Sequence, residues 1–133
     1  MNFYPESELL DLSQQLLDSI DQQDWKNYTD LCDRGLTAYE PEALGQLVTG
    51  MPFHEFYFKL SGAGTPKQST INSPQVRICG EMAVVTYVRL IQSLDSEGRP
   101  QSSACEETRV WERKEGAWQH THFHRSQAGH INL

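Results

Sequence analysis

Hydrophobic residues recur at helical spacing over the first part of the chain and at alternate positions over its second half. Leu9, Leu10, Leu16, Leu17 and Ile20 fall on one side of a helix, with Gln14, Gln15, Asp18 and Asp21 on the other, so the pattern predicts a helix over about 6–22 that Pro5 can open. Asp24 reads as the N-cap of a second, short helix, with Trp25, Tyr28 and Leu31 or Cys32 as its buried stripe and Gly35 as its end. Residues 36–39 read as a short strand stopped by Pro41, residues 41–48 as a turn of helix, and residues 51–60 as a third helix with Pro52 at its start.

SGAGTPKQS, residues 61–69, is the most loop-like stretch, and after it the period changes from 3.6 to 2. Strands are predicted at 75–81, 82–94, 101–114 and 117–126, separated by turn signals at Gly80-Glu81, 95–98 and Glu115-Gly116. Consecutive strands with short turns make an antiparallel meander. Helices first and a twisted sheet after them give an α+β fold, one domain over 1–133, with the long first helix laid across the concave face of the sheet.

One position breaks the apolar pattern. In AVVTYVRLIQSL, residues 83–94, Arg89 shares a face with Val85, Tyr87 and Ile91, where a guanidinium is costly unless it is answered. Arg109 interrupts the next strand in the same way, and Arg125 follows Phe123 in the last. Neighbouring strands lie about 4.8 Å apart, so one arginine from each of three sequential strands can meet at one depth. Clustered cations need anions. Glu107, two residues before Arg109, and Glu40 are candidates, and the remaining charge suits the carboxylate of a ligand or partner chain, which arginine's planar fork favours. Internal ion pairs are the equally open alternative.

Charge and composition narrow the partners. A net charge of −7 argues against non-specific nucleic-acid binding and against a basic membrane-surface domain. No apolar run reaches the roughly 20 residues of a membrane span, and the N-terminus has no signal-peptide pattern. Three widely spaced cysteines, Cys32, Cys79 and Cys105, suit free thiols and a cytoplasmic setting. His120, His122 and His124 alternate and so are expected on one face, but residues two apart stand about 6.7 Å from each other and no further ligand set appears, so no metal is expected. There is no phosphate-binding glycine loop, no Ser-His-Asp pattern and no cofactor motif.

The strings LCDRGLTAYEPEALGQLVTGMPFHEFYF (31–58), YVRLIQSLDSEGRPQSS (87–103), EETRVWERKEGAWQ (106–119) and HFHRS (122–126) closely resemble the association, or hub, domain of calcium/calmodulin-dependent protein kinase II. The resemblance covers about residues 8–126. It implies a cone of the nuclear-transport-factor-2-like type, a long N-terminal helix cradled by a curved antiparallel sheet. It implies a non-catalytic function: self-assembly into two stacked rings, commonly of twelve to fourteen subunits, that hold tethered kinase domains at high local concentration. It also implies a pocket lined by Arg89, Arg109, Arg125 and His54 that accepts a small carboxylate or a regulatory segment. Glu107 and Tyr39 complete the set of candidate ligand-binding residues. The chain departs from the family in its glycine-rich loop at 61–69, which lacks a tryptophan found in some members, and in Gln127, where the family has glycine. It contains no kinase motif, so it reads as an excised C-terminal domain or a free-standing hub. Cones of this type also host isomerases and dehydratases. For such chemistry Glu107, Tyr39 and His54 are the acid–base candidates.

Overall fold

A computed structural model describes residues 5–60 and 66–129. Helix α1 (Pro5–Asp21) and helix α2 (Trp25–Leu31) lead into strand β1 (Cys32–Tyr39), a 3-10 turn at Pro41–Ala43, strand β2 (Val48–Thr49) and helix α3 (Pro52–Phe58). Four long strands follow: β3 (Lys67–Cys79), β4 (Met82–Leu94), β5 (Pro100–Lys114) and β6 (Ala117–Gln127). Asp24 caps α2 as predicted, its carboxylate accepting from the Asn27 amide. Gly35 does not end that helix; α2 stops at Leu31 and Gly35 lies inside β1. Residues 67–69, expected in the loop, begin β3, while residues 61–65 lie outside the described residues.

The strands form one six-stranded sheet in the order β2-β1-β6-β5-β4-β3. The meander β3–β6 is antiparallel throughout, but β1 pairs with β6 in parallel, so the sheet is mixed. The reason is the chain path: β1 precedes the helical segment and returns to the sheet beside its last strand, a long crossover that a hairpin cannot make. Helix α1 packs on β3 and β4 through Leu9, Leu16 and Leu17, all with no exposed surface, in one core with Val85, Tyr87 and Trp111. Gln14 Nε2 donates to the Ser69 carbonyl at 3.0 Å, tying that helix to β3. Ser73 (φ 51°) and Pro74 sit at an irregularity of β3, which tolerates them as an edge strand. No helix among the described residues is long and apolar enough to cross a membrane.

A second irregularity decides which residues face the core. Val110 pairs with His122 but Trp111 pairs with His120, leaving Thr121 as the extra residue of a β-bulge. Before the bulge the inward residues of β6 are Trp118 and His120; after it they are Phe123 and Arg125. His120 is therefore fully buried while His124 is exposed on the other side, and the three histidines do not share a face.

Candidate functional site

Strand register places Glu107 at the centre of the basic cluster. It stands opposite Tyr87 on β4 and Arg125 on β6. Arg109 is one inward-facing position along its own strand, level with Val85 and Phe123, and Arg89 is one such position the other way on β4, level with Cys105. The three arginines thus occupy three successive levels, each about 6.7 Å from the next, rather than one depth.

Two of them are answered deep in the protein. Arg109 donates to Glu107 from Nη2 at 3.0 Å and to the Tyr87 hydroxyl from Nε at 3.0 Å, and its guanidinium lies 4.4 Å from the centre of the Phe123 ring. The Tyr87 hydroxyl in turn donates to Glu107 at 2.5 Å. Arg109 Nη1 lies 3.4 Å from His120 Nε2. Because a guanidinium has no acceptor, that nitrogen must accept, which puts the imidazole proton on Nδ1, 3.5 Å from the Cys32 sulfur. Arg89 donates to Ser69 from Nε at 2.8 Å, to Asp21 from Nη2 at 2.9 Å and to Glu107 from Nη1 at 3.3 Å. Burial alone pushes the Glu107 carboxyl up, but Arg109, Arg89 and the Tyr87 hydroxyl outweigh it and hold it at about 2. Burial pushes the Cys32 thiol up to about 12, so it is no nucleophile beside His120.

The third arginine is different. Arg125 sits at the rim, with 22% of its side chain exposed, and pairs with Glu42 on the 3-10 turn and with Glu40 at 3.7 Å. His54, brought in by α3 and 5% exposed, has Nδ1 3.7 Å from Glu40. Burial, reinforced by Arg109 and Arg125, lowers His54 to about 4, so at neutral pH this contact is not an ion pair. Burial raises Glu40 to about 6 against the pull of Arg125.

These groups enclose a cavity of about 220 Å³. Arg89, Arg109, Arg125, His54, Glu40 and Glu42 supply its polar wall, with Lys67 beside them, and Ile20, Tyr28, Phe58, Ile91 and Phe123 supply much of its apolar wall. The volume lies below the roughly 300–1,000 Å³ of pockets for drug-sized molecules, which suits a small ligand. His54 Nε2 and Arg125 Nε are buried without a hydrogen-bond partner among the described residues, as is Asp21 Oδ2 behind Arg89. Unpaired buried polar atoms are uncommon, and here two of them belong to residues of the cavity wall.

The structure brings together four of the six predicted residues, Arg89, Arg109, Arg125 and His54, around this space. Glu107 lies behind the arginines as their counter-ion and not in the wall. Tyr39 is 42% exposed and packs by its ring on His122 and His124, away from the cavity. Glu107, Tyr39 and His54 are thus not gathered as an acid–base set. Sequence reasoning did not find Asp21, Glu42 and Lys67; the first closes a helix, the second sits on a turn and the third follows the loop, and no periodicity marks such positions.

Residues 5–129 match the family described as calcium/calmodulin dependent protein kinase II association domain. Calcium/calmodulin-dependent protein kinase type II subunit delta of Oryctolagus cuniculus is 48% identical over 122 residues, covering 90% of this chain and 23% of that protein. The chain therefore spans about a quarter of that relative. The solved CaMKII hub homology domain of Chlamydamonas reinhardtii superposes with a TM-score of 0.89 at 41% identity, covering 95% of this chain and all of that one. The association domain of C. elegans CaMKII gives a TM-score of 0.87 at 40% identity, covering 92% and 95%. A nuclear transport factor 2-like protein of Salmonella enterica, 19% identical over 96% of this chain and 94% of its own, shares the fold at a TM-score of 0.78.

Proposed function

The chain belongs to the calcium/calmodulin-dependent protein kinase II association-domain family, and from that premise we propose that it is an oligomerisation hub whose copies assemble into two stacked rings of twelve or more subunits. The association domain is the non-catalytic part of these kinases. In this reading the assembly holds kinase domains close enough to act on one another, and the arginine-lined cavity takes a small carboxylate or a regulatory segment. The observation that carries the reading is the match over nearly the whole chain to hub domains of known structure. A surface feature supports it. Leu44, Leu47, Phe56 and Leu60 are 88%, 50%, 61% and 47% exposed, on and around the 41–60 segment, and exposed apolar surface of this kind suits contact with further copies.

Multi-angle light scattering at micromolar concentration tests the assembly. The expected mass is at least twelve times the 15.2 kDa chain. A monomer or a plain dimer overturns the proposal. The pocket is tested separately by thermal denaturation: millimolar butyrate should raise the melting temperature, and an unchanged curve counts against a carboxylate site.

A further inference from the structure

The internal carboxylates of the basic cluster are not equivalent. Glu107 has no exposed side-chain surface, and Asp21 and Glu40 show only 2% and 7%. Removing any of these from its arginine strands a charge in the core. Glu42 is 37% exposed and rides on the Pro41–Ala43 turn. The bonds that hold this turn are local: Ala43 N to the Glu40 carbonyl and Leu44 N to the Pro41 carbonyl, both 3.1 Å. Leu44, which ends it, has left-handed backbone (φ 52°) and lies almost wholly in solvent. Glu42 can swing into water with its charge hydrated; the others cannot.

The position of this pair matters as much as its exposure. On its far side lies a second hollow of about 310 Å³, lined by Pro41, Ala104, Cys105 and Gln127 among others. Glu42, Arg125 and Ile91 line both spaces. The Arg125–Glu42 pair is thus part of the wall between the cavity and the outer hollow.

We propose that Glu42 is a resident competitor: its carboxylate holds Nη2 of Arg125, and an entering small monocarboxylate takes that place, releasing Glu42 to solvent and opening the cavity toward the outer hollow. The inference rests on the carboxylate pocket of the proposed function and names the residue that sets its affinity and charge preference. Arg89, Arg109, Arg125 and Lys67 face Asp21, Glu40, Glu42 and Glu107, so the charges balance. Exchange of one carboxylate for another keeps that balance. A dicarboxylate brings a second negative charge to a site already holding Glu40 and Glu107, and is disfavoured. The competitor acts as a conformational tax, since only the fraction of molecules with Glu42 released can receive ligand.

Calorimetric titration of the assembled chain with sodium butyrate and with disodium succinate tests this. Butyrate should bind the native chain in preference to succinate, Glu42→Gln should bind butyrate about five- to tenfold more tightly, and Arg125→Gln should abolish binding. If the native chain binds butyrate and Glu42→Gln binds it equally or less tightly, the competitor is overturned while the carboxylate pocket stands. If neither chain binds butyrate, the pocket reading falls and the competitor with it. A crystal structure of the native chain with butyrate gives an answer independent of any variant. Arg125 should hold the ligand with Glu42 turned outward, and a retained Arg125–Glu42 pair at full occupancy overturns the proposal.

Discussion

The deep and outer halves of the arginine cluster use the same residue types for opposite ends. Arg89 and Arg109 share one fully buried carboxylate, Glu107, and add Asp21, Ser69, Tyr87 and His120 as further partners. Arg125 has a partly exposed partner on a short turn and a buried Nε with no hydrogen-bond partner among the described residues. An arginine inside a fold therefore becomes available to a ligand through what its counter-ions can do. A carboxylate that cannot reach water locks its arginine into the architecture. One that can reach water leaves its arginine exchangeable.

The largest effect that separates the halves is predicted for Glu107→Ala. It strips the shared counter-ion from two buried guanidinium groups and should cost about 3–5 kcal/mol of unfolding free energy. Urea denaturation at one fixed chain concentration measures it, since any association of copies makes the midpoint concentration-dependent. A loss below about 1 kcal/mol, the value typical of an exposed pair, would erase the distinction.

The next effect is a pair of opposite pH dependences between the two neighbours His54 and Glu40. His54 is depressed from 6.5 to about 4, so the stability tied to its neutral form is complete above pH 6.5 and is lost as the pH falls toward 4, amounting to about 3 kcal/mol. Glu40 is raised from 4.5 to about 6, so its burial favours the fold below pH 4.5 and loses about 2 kcal/mol of that advantage as the pH rises through 6. Measured against the native chain, His54→Gln should therefore gain stability on acidification from pH 6.5 to 4. Glu40→Gln should gain it on moving from pH 4.5 to 7. Parallel profiles for both variants would show that the two groups do not sit in the environment described.

The smallest effect belongs to the rim. Glu42→Gln should lower unfolding free energy by about 1 kcal/mol, the scale of a partly exposed ion pair and of the affinity gain expected when the competitor is removed. A cost approaching that of Glu107→Ala would mean that Glu42 is built into the architecture and is not exchangeable.

Element types and most of their limits are legible along the chain, because period and turn chemistry are local. The limits of β4 match its apolar run, and Asp24 marks the start of α2 through its own side chain. The isolated arginines of the apolar strands were also legible, since a charge there contradicts its surroundings. Long specific strings such as EPEALG and HFHRS carried the family, which the comparison over residues 5–129 bears out. Where those residues point, and which carboxylates join Glu107 around them, emerges only from the packing. The parallel pairing of β1 with β6 joins segments more than eighty residues apart. The bulge at Thr121 reverses the faces of β6, burying His120, turning His124 out and directing Arg125 into the cavity. Nothing in alternation announces an inserted residue, because a one-residue shift exchanges every side chain between faces while leaving the pattern as plausible as before. Two of the counter-ions were hidden because Asp21 and Glu42 come from a helix end and a turn, and only their packing around one cavity joins them to Glu107, which alternation along β5 already placed on the face of Arg109.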